Sequence, residues 1–459
     1  MSKTGIAVID VGATNSKVIL FDDALNEIDS RKVPTVHMGG PPYTHLDDAS
    51  LMAFATDALV ELDRKLPIDT ISISAFGATV ACLDGQGQLT TPVMDYLAEA
   101  PAELDAEFAK ITPPFSEVFS NTSPCALTIG KQLFWLETLY PDAFARTETI
   151  LPWSAYIGYR LGGRPAMEIS NLGVFTHLLD VKSSAYSSLV TSRGWDKKFP
   201  EILPAWQVIG QYKPEGFRGR GDILCGIHDS NANWLRYLSG HEGSFTLLST
   251  GTFVIGFDSD TELDDLNPDT DVFSFTDIFA KPVACSRFYG GYEFEKVLDG
   301  VAPTKASAEG IAAIIAGGVF ALPAFSDTGG PIADRGNRGQ IIGDFTEGEV
   351  ARASLATLYA ALMINELLDT LGSTSDIIID GPFAQNTLVA GIIGQLRPGQ
   401  KILASELRDG TAMGAAILGQ MKGGGTVPSL PIPMKPCAAS AFDGLSQYRD
   451  SWHAHIASE

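Results

Sequence analysis

A short polar turn near the start of the chain carries the residue types that bind phosphate and a divalent cation. It reads Asp10-Val11-Gly12-Ala13-Thr14-Asn15, and Lys17 follows. The Asp10 carboxylate suits Mg²⁺ or its waters, and Gly12 lets the backbone approach a phosphate closely. We predict phosphate or cation contacts at Asp10, Gly12, Ala13, Thr14, Asn15 and Lys17. Taken alone, these residues are equally typical of an ordinary hairpin.

A second turn of the same kind lies much later in the chain. Thr250-Gly251-Thr252 separates two β-rich runs, as the first turn does, and Gly251 and Thr252 present small donors. Hairpins need the same residue types, so this turn alone predicts little. The two turns together favour the binding of one polyphosphate from two sides.

A carboxylate stands between the two turns at the predicted start of a helix. A β-rich run ends in Gly226-Ile227-His228-Asp229-Ser230, and a helical pattern covers Asn231 to Leu238. The ordinary interpretation is that Asp229 or Ser230 caps this helix. The position also suits general-base chemistry, because a helix N-terminus favours an ionised carboxylate, which can accept a hydroxyl proton. One residue can serve both roles.

A third polar turn, Gly381 to Asn386, follows the buried run Ile377-Ile378-Ile379-Asp380. Turns at the carboxyl ends of strands are where α/β proteins bind ligands, although plain crossovers look the same. We predict nucleotide contacts at Gly381, Pro382, Phe383 and Asn386. The run Asp409 to Ala416 indicates instead a helix whose small residues pack closely in a core.

Alternating strands and helices must position these turns, so the predicted class is α/β with mixed sheets. The layout of strand, short polar turn and strand begins near residue 6 and again near residue 245. Such a duplication predicts two related domains, residues 1–239 and 240–459. The other predicted elements are helices at Leu51–Leu62, Val350–Leu371, Asn386–Leu396 and Thr411–Met421, and strands at Thr70–Ser74 and Asp376–Asp380.

The charge balance and the apolar pattern narrow the range of partners. The 459 residues include 55 Asp and Glu against 32 Lys and Arg, a net charge of −23. This charge disfavours nucleic acid and anionic membranes as partners. The longest apolar stretch, Ile311 to Phe325, is too short and too rich in Gly and Pro to span a membrane, so we interpret it as buried core.

Cysteines, histidines and the N-terminal residues exclude other classes. The five scattered cysteines fit neither a zinc cluster nor a disulfide framework, and no signal-peptide pattern precedes the first strand, so we expect a cytoplasmic protein. The seven histidines show no metal-ligand spacing, and any metal is expected to be Mg²⁺ carried by a nucleotide. The P-loop and nucleophile-elbow motifs are absent from the sequence, which disfavours P-loop kinases and α/β-hydrolases.

Taken in order, these segments resemble the FGGY family of carbohydrate kinases, which lies within the superfamily of actin, hexokinase and chaperone ATPases. The resemblance spans nearly the whole chain and rests on the order and spacing of the segments. Ile9–Lys17 resembles the first phosphate segment of the family, and the strand pair Ile71–Ser74 with Val80–Asp84 resembles the next segment. Further along the chain, the resemblance covers the catalytic-base motif (Gly226–Asp229), the second phosphate segment (Leu248–Thr252), the adenosine segment (Gly381–Asn386) and the closing helix (Gly414–Ala416).

The resemblance implies two actin-like, ribonuclease H-like domains and a cleft between them that closes during the reaction. It implies phosphoryl transfer from MgATP to a hydroxyl of a sugar or polyol, with Asp229 as general base and with Asp10 and Asp229 near Mg²⁺. The implied substrate contacts are Phe76, Thr79, Asp95, Tyr96, His228 and Asp229. The helical surfaces leave open whether the chain forms a homodimer.

Some segments depart from the family pattern and bear on the substrate. Phe76 stands where Gln or a similar polar residue is common, Asp95-Tyr96 lacks the Arg of the usual Trp-x-Asp-x-Arg segment, Gly381-Pro382-Phe383 replaces a glycine run, and Ser326 to Gly330 replaces a Gly-Glu-Arg loop. Glu168 with Ser170, and the stretch Tyr156 to Leu161, resemble rhamnulose and fuculose kinases. We therefore expect a deoxyketose or a related ketose as substrate.

Two other functions fit parts of the same pattern. An actin-like ATP-binding chaperone or sensor would keep both phosphate turns, but it would not need a carboxylate placed for a sugar hydroxyl. A phosphatase or an acetate-kinase-like transferase would need a different base and a clamp for an acidic substrate. Asp229 is therefore the residue that discriminates between the three functions.

Overall fold

The computed structural model describes residues 4–121, 126–344, 348–406 and 410–458. Its first unit consists of Met1–His241, Ser274–Pro282 and Asp409–Pro431, and its second of Glu242–Phe273, Val283–Arg408 and Ile432–Glu459. The first unit thus includes two segments from the C-terminal half of the sequence. The division of the chain into domains of residues 1–239 and 240–459 stays a prediction.

The elements of residues 4–241 belong to the first unit. The strands are β1 (Gly5–Val11), β2 (Asn15–Phe21), β3 (Glu27–Pro34), β4 (His37–Met38), β5 (His45–Leu46), β6 (Ile68–Ala75), β7 (Val80–Leu83), β8 (Thr149–Pro152), β9 (Leu179–Asp180), β10 (Ala185–Tyr186), β11 (Val208–Gln211), β12 (Asp222–Leu224) and β13 (Ile227–His228). The helices are α1 (Asp48–Asp63), α2 (Ala102–Ala109), α3 (Phe115–Val118), α4 (Ile129–Leu139), α5 (Pro141–Ala145), α6 (Trp153–Arg160), α7 (Ile169–Leu172), α8 (Ser188–Arg193) and α9 (Asp229–Gly240), and Trp195–Lys198 forms a 3₁₀ turn.

The remaining elements follow residue 241. The strands are β14 (Phe245–Thr250), β15 (Val254–Asp258), β16 (Val272–Thr276), β17 (Pro282–Phe288), β18 (Phe320–Leu322), β19 (Gln340–Ile342), β20 (Asp376–Asp380), β21 (Ile402–Ser405) and β22 (Met434–Pro436). The helices are α10 (Gly290–Leu298), α11 (Ala308–Gly317), α12 (Glu349–Thr370), α13 (Thr387–Leu396), α14 (Gly410–Met421) and α15 (Leu445–Ala457), with 3₁₀ turns at Leu263–Asp265, Pro303–Lys305 and Pro382–Gln385.

Helices cover both faces of the first sheet. Its strand order is β11-β12-β6-β1-β2-β3, and β13 also pairs with β6. Along β1, Ala7 and Ile9 pack in one cluster with residues of α1 and α6. Ile6 and Val8 point to the other face and pack with residues of α9 and α14. Because both faces are buried, the strand is apolar along its length and lacks the alternating polar residues of a half-exposed sheet.

The second sheet repeats the pairing pattern of the first. Its order is β16-β17-β15-β14-β20-β21-β22. From β17 to β22 the successive pairings are antiparallel, antiparallel, parallel, parallel and antiparallel. The series β3-β2-β1-β6-β12-β11 has the same directions in the same order. The duplication predicted from the sequence is therefore confirmed, and so is the mixed α/β class.

The small residues of α14 allow it to pack closely against α9. A Cβ added at Gly414 would lie 1.7 Å from the Ala232 carbonyl oxygen. Ala412, Ala415 and Ala416 are all buried. The prediction that this helix belongs to a core is confirmed, and that core is the core of the first unit.

The apolar stretch at residues 311–325 is only partly core, which corrects the sequence prediction. It begins within α11, where Ile311 and Ile314 are buried but Ala312 and Ala316 are exposed. The helix ends at Gly317, with Gly318 as its C-cap, and the buried strand β18 follows. Within the described parts of the chain, no helix has the length and apolar character needed to cross a bilayer.

The described cysteines are free thiols. Cys82, Cys225 and Cys285 are buried, and Cys437 is partly exposed. Cys125 lies outside the described residues.

Candidate functional site

The first phosphate turn joins β1 to β2 and is supported by a residue that follows β3. Asp10 and Lys17 are partners across the antiparallel pair, which brings a carboxylate and an ammonium group to the base of the turn. Thr35 donates its hydroxyl to the Gly12 carbonyl at 2.7 Å and its amide to the Thr14 carbonyl at 3.0 Å. The carbonyls of the turn are therefore held from behind. The six predicted residues lie together, and their role in binding phosphate stays a prediction.

The carboxyl ends of three neighbouring strands bring Asp10 and Asp229 to one edge of the first sheet. β6 lies between β1 and β13, and both run parallel to it. Ser74 of β6 is the register partner of Asp10 on one side and of Ile227 on the other. Two strand spacings separate β1 from β13, or roughly 10 Å. The structure thus places the two predicted carboxylates at the same sheet edge.

His228, and not Asp229 or Ser230, is the N-cap of α9, which corrects the capping prediction. The His228 Nδ1 accepts the Ser230 amide at 3.2 Å. Asp229 is the first helical residue, and its Oδ1 accepts the same amide at 2.6 Å. The strand β13 ends at His228, so the imidazole occupies the cap position and the carboxylate begins the helix. The Asp229 side chain stays 33% exposed, which leaves it accessible to a ligand.

The His228 ring is buried against the loop that follows β6. A Cβ added at Gly77 would lie 2.4 Å from His228 Nε2, so only glycine leaves room for the ring at this position. Burial lowers the pKa of His228, and the Asp229 charge offsets part of that shift. The ring is therefore neutral at physiological pH, as a hydrogen-bond acceptor at an N-cap must be.

Among the predicted substrate residues, Tyr96 and Asp229 are partly exposed, whereas Phe76, Thr79, Asp95 and His228 are buried. Phe76 and Tyr96 pack edge to face with ring centroids 5.5 Å apart. Burial raises the pKa of Tyr96, and the charges of Asp95 and Asp229 raise it further. Thr79 is only 1% exposed, and its hydroxyl has no hydrogen-bond partner among the described residues. Phe76, Tyr96, His228 and Asp229 thus come together, while Thr79 is enclosed.

Asp95 is also enclosed, with both carboxylate oxygens engaged. Its Oδ1 accepts the Leu97 amide at 2.9 Å, and its Oδ2 lies 2.6 Å from His37 Nδ1. The Asp95 side chain is 3% exposed. This geometry holds the segment that carries Tyr96 in place.

In the second unit the two other predicted turns line one cavity of about 740 Å³. Gly251, Thr252, Pro382, Phe383 and Asn386 all contribute to it. Thr250 connects the two turns, because its hydroxyl donates to the Asp380 carbonyl at 2.5 Å and accepts the Phe383 amide at 3.1 Å. The strands that carry the turns, β14 and β20, are parallel neighbours. The turns are therefore assembled by the sheet, as their positions at strand ends predicted.

Gly381 has a conformation that other residues rarely adopt. Its φ is 85° and its ψ −159°, in a region of the backbone map that is essentially restricted to glycine. A Cβ there would lie 2.1 Å from the Thr250 carbonyl oxygen. Gly381 is thus required for the close approach of the two turns.

Asn386 has a structural role as well as a place in the cavity. It is the N-cap of α13, and its Oδ1 accepts the Val389 amide at 3.1 Å. Its neighbour Phe383 packs edge to face on Phe294, with ring centroids 5.2 Å apart. The cap explains why an Asn stands here, and a ligand contact by Asn386 stays a prediction.

The start of α10 forms a wall of this cavity that sequence reasoning missed. Gly291 and Tyr292 donate their amides to the Thr252 carbonyl at 3.1 and 3.3 Å. A Cβ at Gly291 would lie 2.1 Å from the Gly251 carbonyl oxygen. The pair Gly290-Gly291 at a helix start was the available signal, since adjacent glycines there indicate a close backbone approach.

The described residues include no group of three or more His, Cys, Asp or Glu side chains that could hold a metal ion. A cation near Asp10 or Asp229 would therefore take most of its ligands from phosphate oxygens and water, as Mg²⁺ does with nucleotides. The donor set fits an ion that arrives with its nucleotide.

Glu168 is a buried structural carboxylate. It is the N-cap of α7, and its Oε2 accepts the amides of Ser170 and Asn171 at 2.9 and 3.3 Å. The Ser170 hydroxyl also bonds to this carboxylate and accepts the His228 amide at 3.3 Å. Burial raises the pKa of Glu168 to about 7, against the opposing effect of these hydrogen bonds.

We expect the stability of the protein to fall between pH 5 and pH 8 because of Glu168. Its pKa is raised above the ordinary value of about 4.3, so the folded state holds a proton that the unfolded state has lost. The stabilisation is fully present below that value and is lost as pH rises through about 7. The loss is at most about 3 kcal/mol.

Thermal unfolding at pH 5 and pH 8 measures this effect. The difference in Tm between the two pH values should be smaller in Glu168→Gln, which mimics the protonated acid. Glu103→Gln, at an exposed glutamate in the first turn of α2, is the matched control. An equal difference in Tm for the wild type and Glu168→Gln would contradict the assignment.

Two family models match most of the chain. The model described as the FGGY family of carbohydrate kinases, N-terminal domain, matches residues 6–233, and the carbohydrate kinase FGGY, C-terminal domain, matches residues 242–426. A solved carbohydrate kinase from Novosphingobium aromaticivorans is 28% identical, with a TM-score of 0.88, over 98% of this chain and 100% of that one.

More distant relatives differ in the sugars of their names. L-fuculokinase from Salmonella typhi is 24% identical over 270 residues, which is 56% of this chain and 56% of that protein, so the match spans about half of the relative's length. Xylulose kinase from Rhodospirillum rubrum has a TM-score of 0.80 over 99% of this chain and 98% of its own. At 16% identity, that likeness concerns the fold alone. These likenesses confirm the expected fold class.

Proposed function

This chain belongs to the FGGY family of carbohydrate kinases, as its sequence motifs predicted, and we propose that it transfers a phosphoryl group from ATP to a hydroxyl of a sugar or polyol. The observation that carries the proposal is that Asp229 and the first phosphate turn, which begins at Asp10, lie at the same edge of the first sheet. A phosphate turn and a candidate base at one edge are what transfer to a hydroxyl needs.

Asp229 is the proposed general base. Its carboxylate is part-exposed and is oriented through Oδ1 by the Ser230 amide at the start of α9. The orientation leaves Oδ2 to accept the proton of the acceptor hydroxyl as the phosphoryl group arrives. His228 supports this arrangement as the buried N-cap, because its ring fixes the backbone from which Asp229 projects.

The nucleotide is proposed to bind at the cavity of the second unit. A cavity of about 740 Å³ is large enough for a small-molecule cofactor, and its walls include the aromatic rings of Phe294 and Phe383. The close backbone approach at Gly381 and the Thr250 hydroxyl hold the two turns together at this cavity. Mg²⁺, when bound with the nucleotide, would neutralise phosphate charge, and Asp10 and Asp229 are the residues proposed to lie near it.

The proposed substrate is a ketose, with a deoxyketose of the fuculose or rhamnulose type as the first candidate. The partly exposed ring of Tyr96, which packs on the buried Phe76, offers apolar surface near Asp229, and a methyl group in place of a sugar hydroxyl suits such a surface. The similarity to a protein named L-fuculokinase supports this choice.

A screen of ADP release over ketoses, 6-deoxyketoses, aldoses and polyols tests the function. We expect ADP formation to depend on one class of acceptor, with the phosphorylated product formed in equal amount and the 6-deoxyketoses turned over most efficiently. ATP turnover of the same rate with and without every acceptor would contradict the kinase and favour the chaperone or sensor. A polyol as the best acceptor would retain the kinase and contradict the ketose.

A further inference from the structure

His37 connects two parts of the first unit that are far apart in sequence. Its Nε2 lies 2.8 Å from the Ala13 carbonyl oxygen in the phosphate turn. Its Nδ1 lies 2.6 Å from Asp95 Oδ2, 58 residues along the chain. The imidazole therefore links the turn to the segment that carries Tyr96.

Both partners of the His37 ring are hydrogen-bond acceptors. A carbonyl oxygen has no proton to give, and an ionised carboxylate has none either. A neutral imidazole carries one N–H, so in one of the two short contacts a nitrogen lone pair would face an oxygen lone pair. When the carboxylate is ionised, only the imidazolium donates from both nitrogens and satisfies both contacts.

We infer that His37 is a positioning residue that, in its protonated form, ties the phosphate turn to the Asp95-Tyr96 segment and makes the reaction dependent on its proton. The inference deepens the proposed function and rests on it for the reaction itself. The tie sets where the Tyr96 phenol lies relative to the turn. Loss of the proton removes one of the two donors and frees one segment from the other.

The charged surroundings of His37 are consistent with a retained proton. Partial burial lowers the pKa of His37, but the Ala13 carbonyl and the Asp95 carboxylate outweigh it and raise the pKa above its ordinary value. On the neighbouring strand β5, the residue paired with His37 is the apolar Leu46. Asp47, which follows Leu46, has its carboxylate bound to the amide and hydroxyl of Ser50 at the start of α1. Among the described residues, the carboxyl group that contacts the ring is therefore that of Asp95.

The inference assigns an indirect role to Asp95. Its carboxylate is buried and both of its oxygens accept hydrogen bonds, so it holds the segment that carries Tyr96 through His37 and the Leu97 amide. The family resemblance implied instead that Asp95 contacts the substrate directly. The two roles differ in their consequences, because an indirect role links the effect of Asp95→Asn to the charge of His37.

Nuclear magnetic resonance of histidine-labelled protein tests the proton without any substrate. We expect the His37 ring to titrate above the ordinary value of about 6.5 in the wild type and at a lower pH in Asp95→Asn. The resonance is assigned as the one lost in His37→Gln, or as the one that shifts in Asp95→Asn if His37→Gln does not fold. Titration of this ring at or below the ordinary value would overturn the inference, whether or not a sugar substrate has been found.

The pH dependence of kcat/KM tests the link to the reaction. Glutamine keeps one donor and loses the other, so His37→Gln should lower kcat/KM by about 10- to 100-fold at pH 6, the range for a lost charged hydrogen bond. The difference should shrink above the pH at which the wild-type ring loses its proton. His45→Gln is the matched control, because His45 lies on the neighbouring strand and its Nδ1 contacts only the local Tyr43 carbonyl among its described hydrogen bonds, at 2.9 Å.

The outcomes separate the inference from the proposed function. A raised His37 titration with no kinase activity toward any acceptor would support the tie and contradict the kinase. Kinase activity with the same pH profile in the wild type and His37→Gln would support the kinase and overturn the tie. A profile altered equally by His45→Gln would also overturn it, since the effect would then not depend on the link between Ala13 and Asp95.

Discussion

Replacing Asp229 by Asn is expected to lower turnover by about 10²- to 10⁴-fold, the usual effect of losing a general base. Asparagine has the same shape, and its carbonyl oxygen can still accept the Ser230 amide that Asp229 Oδ1 accepts at 2.6 Å. The amide side chain cannot take a proton from the acceptor hydroxyl. The start of α9 should therefore be preserved while the chemical step slows.

The nucleotide should bind to Asp229→Asn nearly as well as to the wild type. The proposed nucleotide contacts in the second unit lie around Gly251 and Gly381, and Asp229 is not among the residues that line their cavity. Turnover by ADP release and ATP affinity by calorimetry measure the two quantities. Asp142→Asn makes the same chemical change at an exposed carboxylate in the first turn of α5 and should leave both unchanged. Equal turnover in Asp229→Asn and the wild type would remove Asp229 from the mechanism.

The strand ends of both units could be predicted from sequence because the signal there is local. A buried β-rich run followed by a short polar turn can be recognised from fewer than ten neighbouring residues, and such runs end at Asp10, Ser249 and Asp380. The placement of the turns at one edge of each sheet then follows from strand direction, because parallel neighbouring strands have their carboxyl ends at the same edge. The family resemblance, and not this local pattern, predicted Asp229 near the same metal ion as Asp10, and the pairing of β13 with β6 brings Asp229 to the same sheet edge.

The contacts that fix these turns could not be predicted because each depends on a partner far along the chain. Thr35 supports Gly12 only because β3 returns beside β2. His37 reaches Asp95 only after the chain between them has formed α1, β6 and β7. A lone histidine or threonine carries no sign of such a partner in its own neighbourhood.

The prediction of the α9 N-cap was wrong for a different reason. Asp and Ser are common N-caps, and the sequence offered both after a histidine. The pairing of β13 with β6 extends to His228, which fixes that residue in extended backbone and moves the helix start to Asp229. Tertiary pairing thus decided a boundary that local preference placed one or two residues later.

Replacing Gly381 by Ala is expected to destabilise the second unit by roughly 3 kcal/mol or more, and to weaken ATP binding by at least about tenfold. Two effects add at this position. The backbone lies in a region that alanine avoids, and the new Cβ would lie 2.1 Å from the Thr250 carbonyl oxygen. Because a backbone atom cannot swing away as a side chain does, the turn Thr250-Gly251-Thr252 must shift.

Thermal unfolding and ATP affinity measure the two parts of this prediction. Gly399→Ala is the matched control, because a Cβ there meets no atom within 4 Å. If Gly381→Ala does not fold, Thr250→Val keeps the shape of the site and removes the hydroxyl that bonds Asp380 and Phe383, at a cost of about 1 to 3 kcal/mol. Nucleotide affinity should fall in Thr250→Val and stay constant in Gly399→Ala. Unchanged affinity in folded Gly381→Ala or Thr250→Val would mean that the link between the two turns does not serve the nucleotide, and would separate the cavity of the second unit from the proposed reaction.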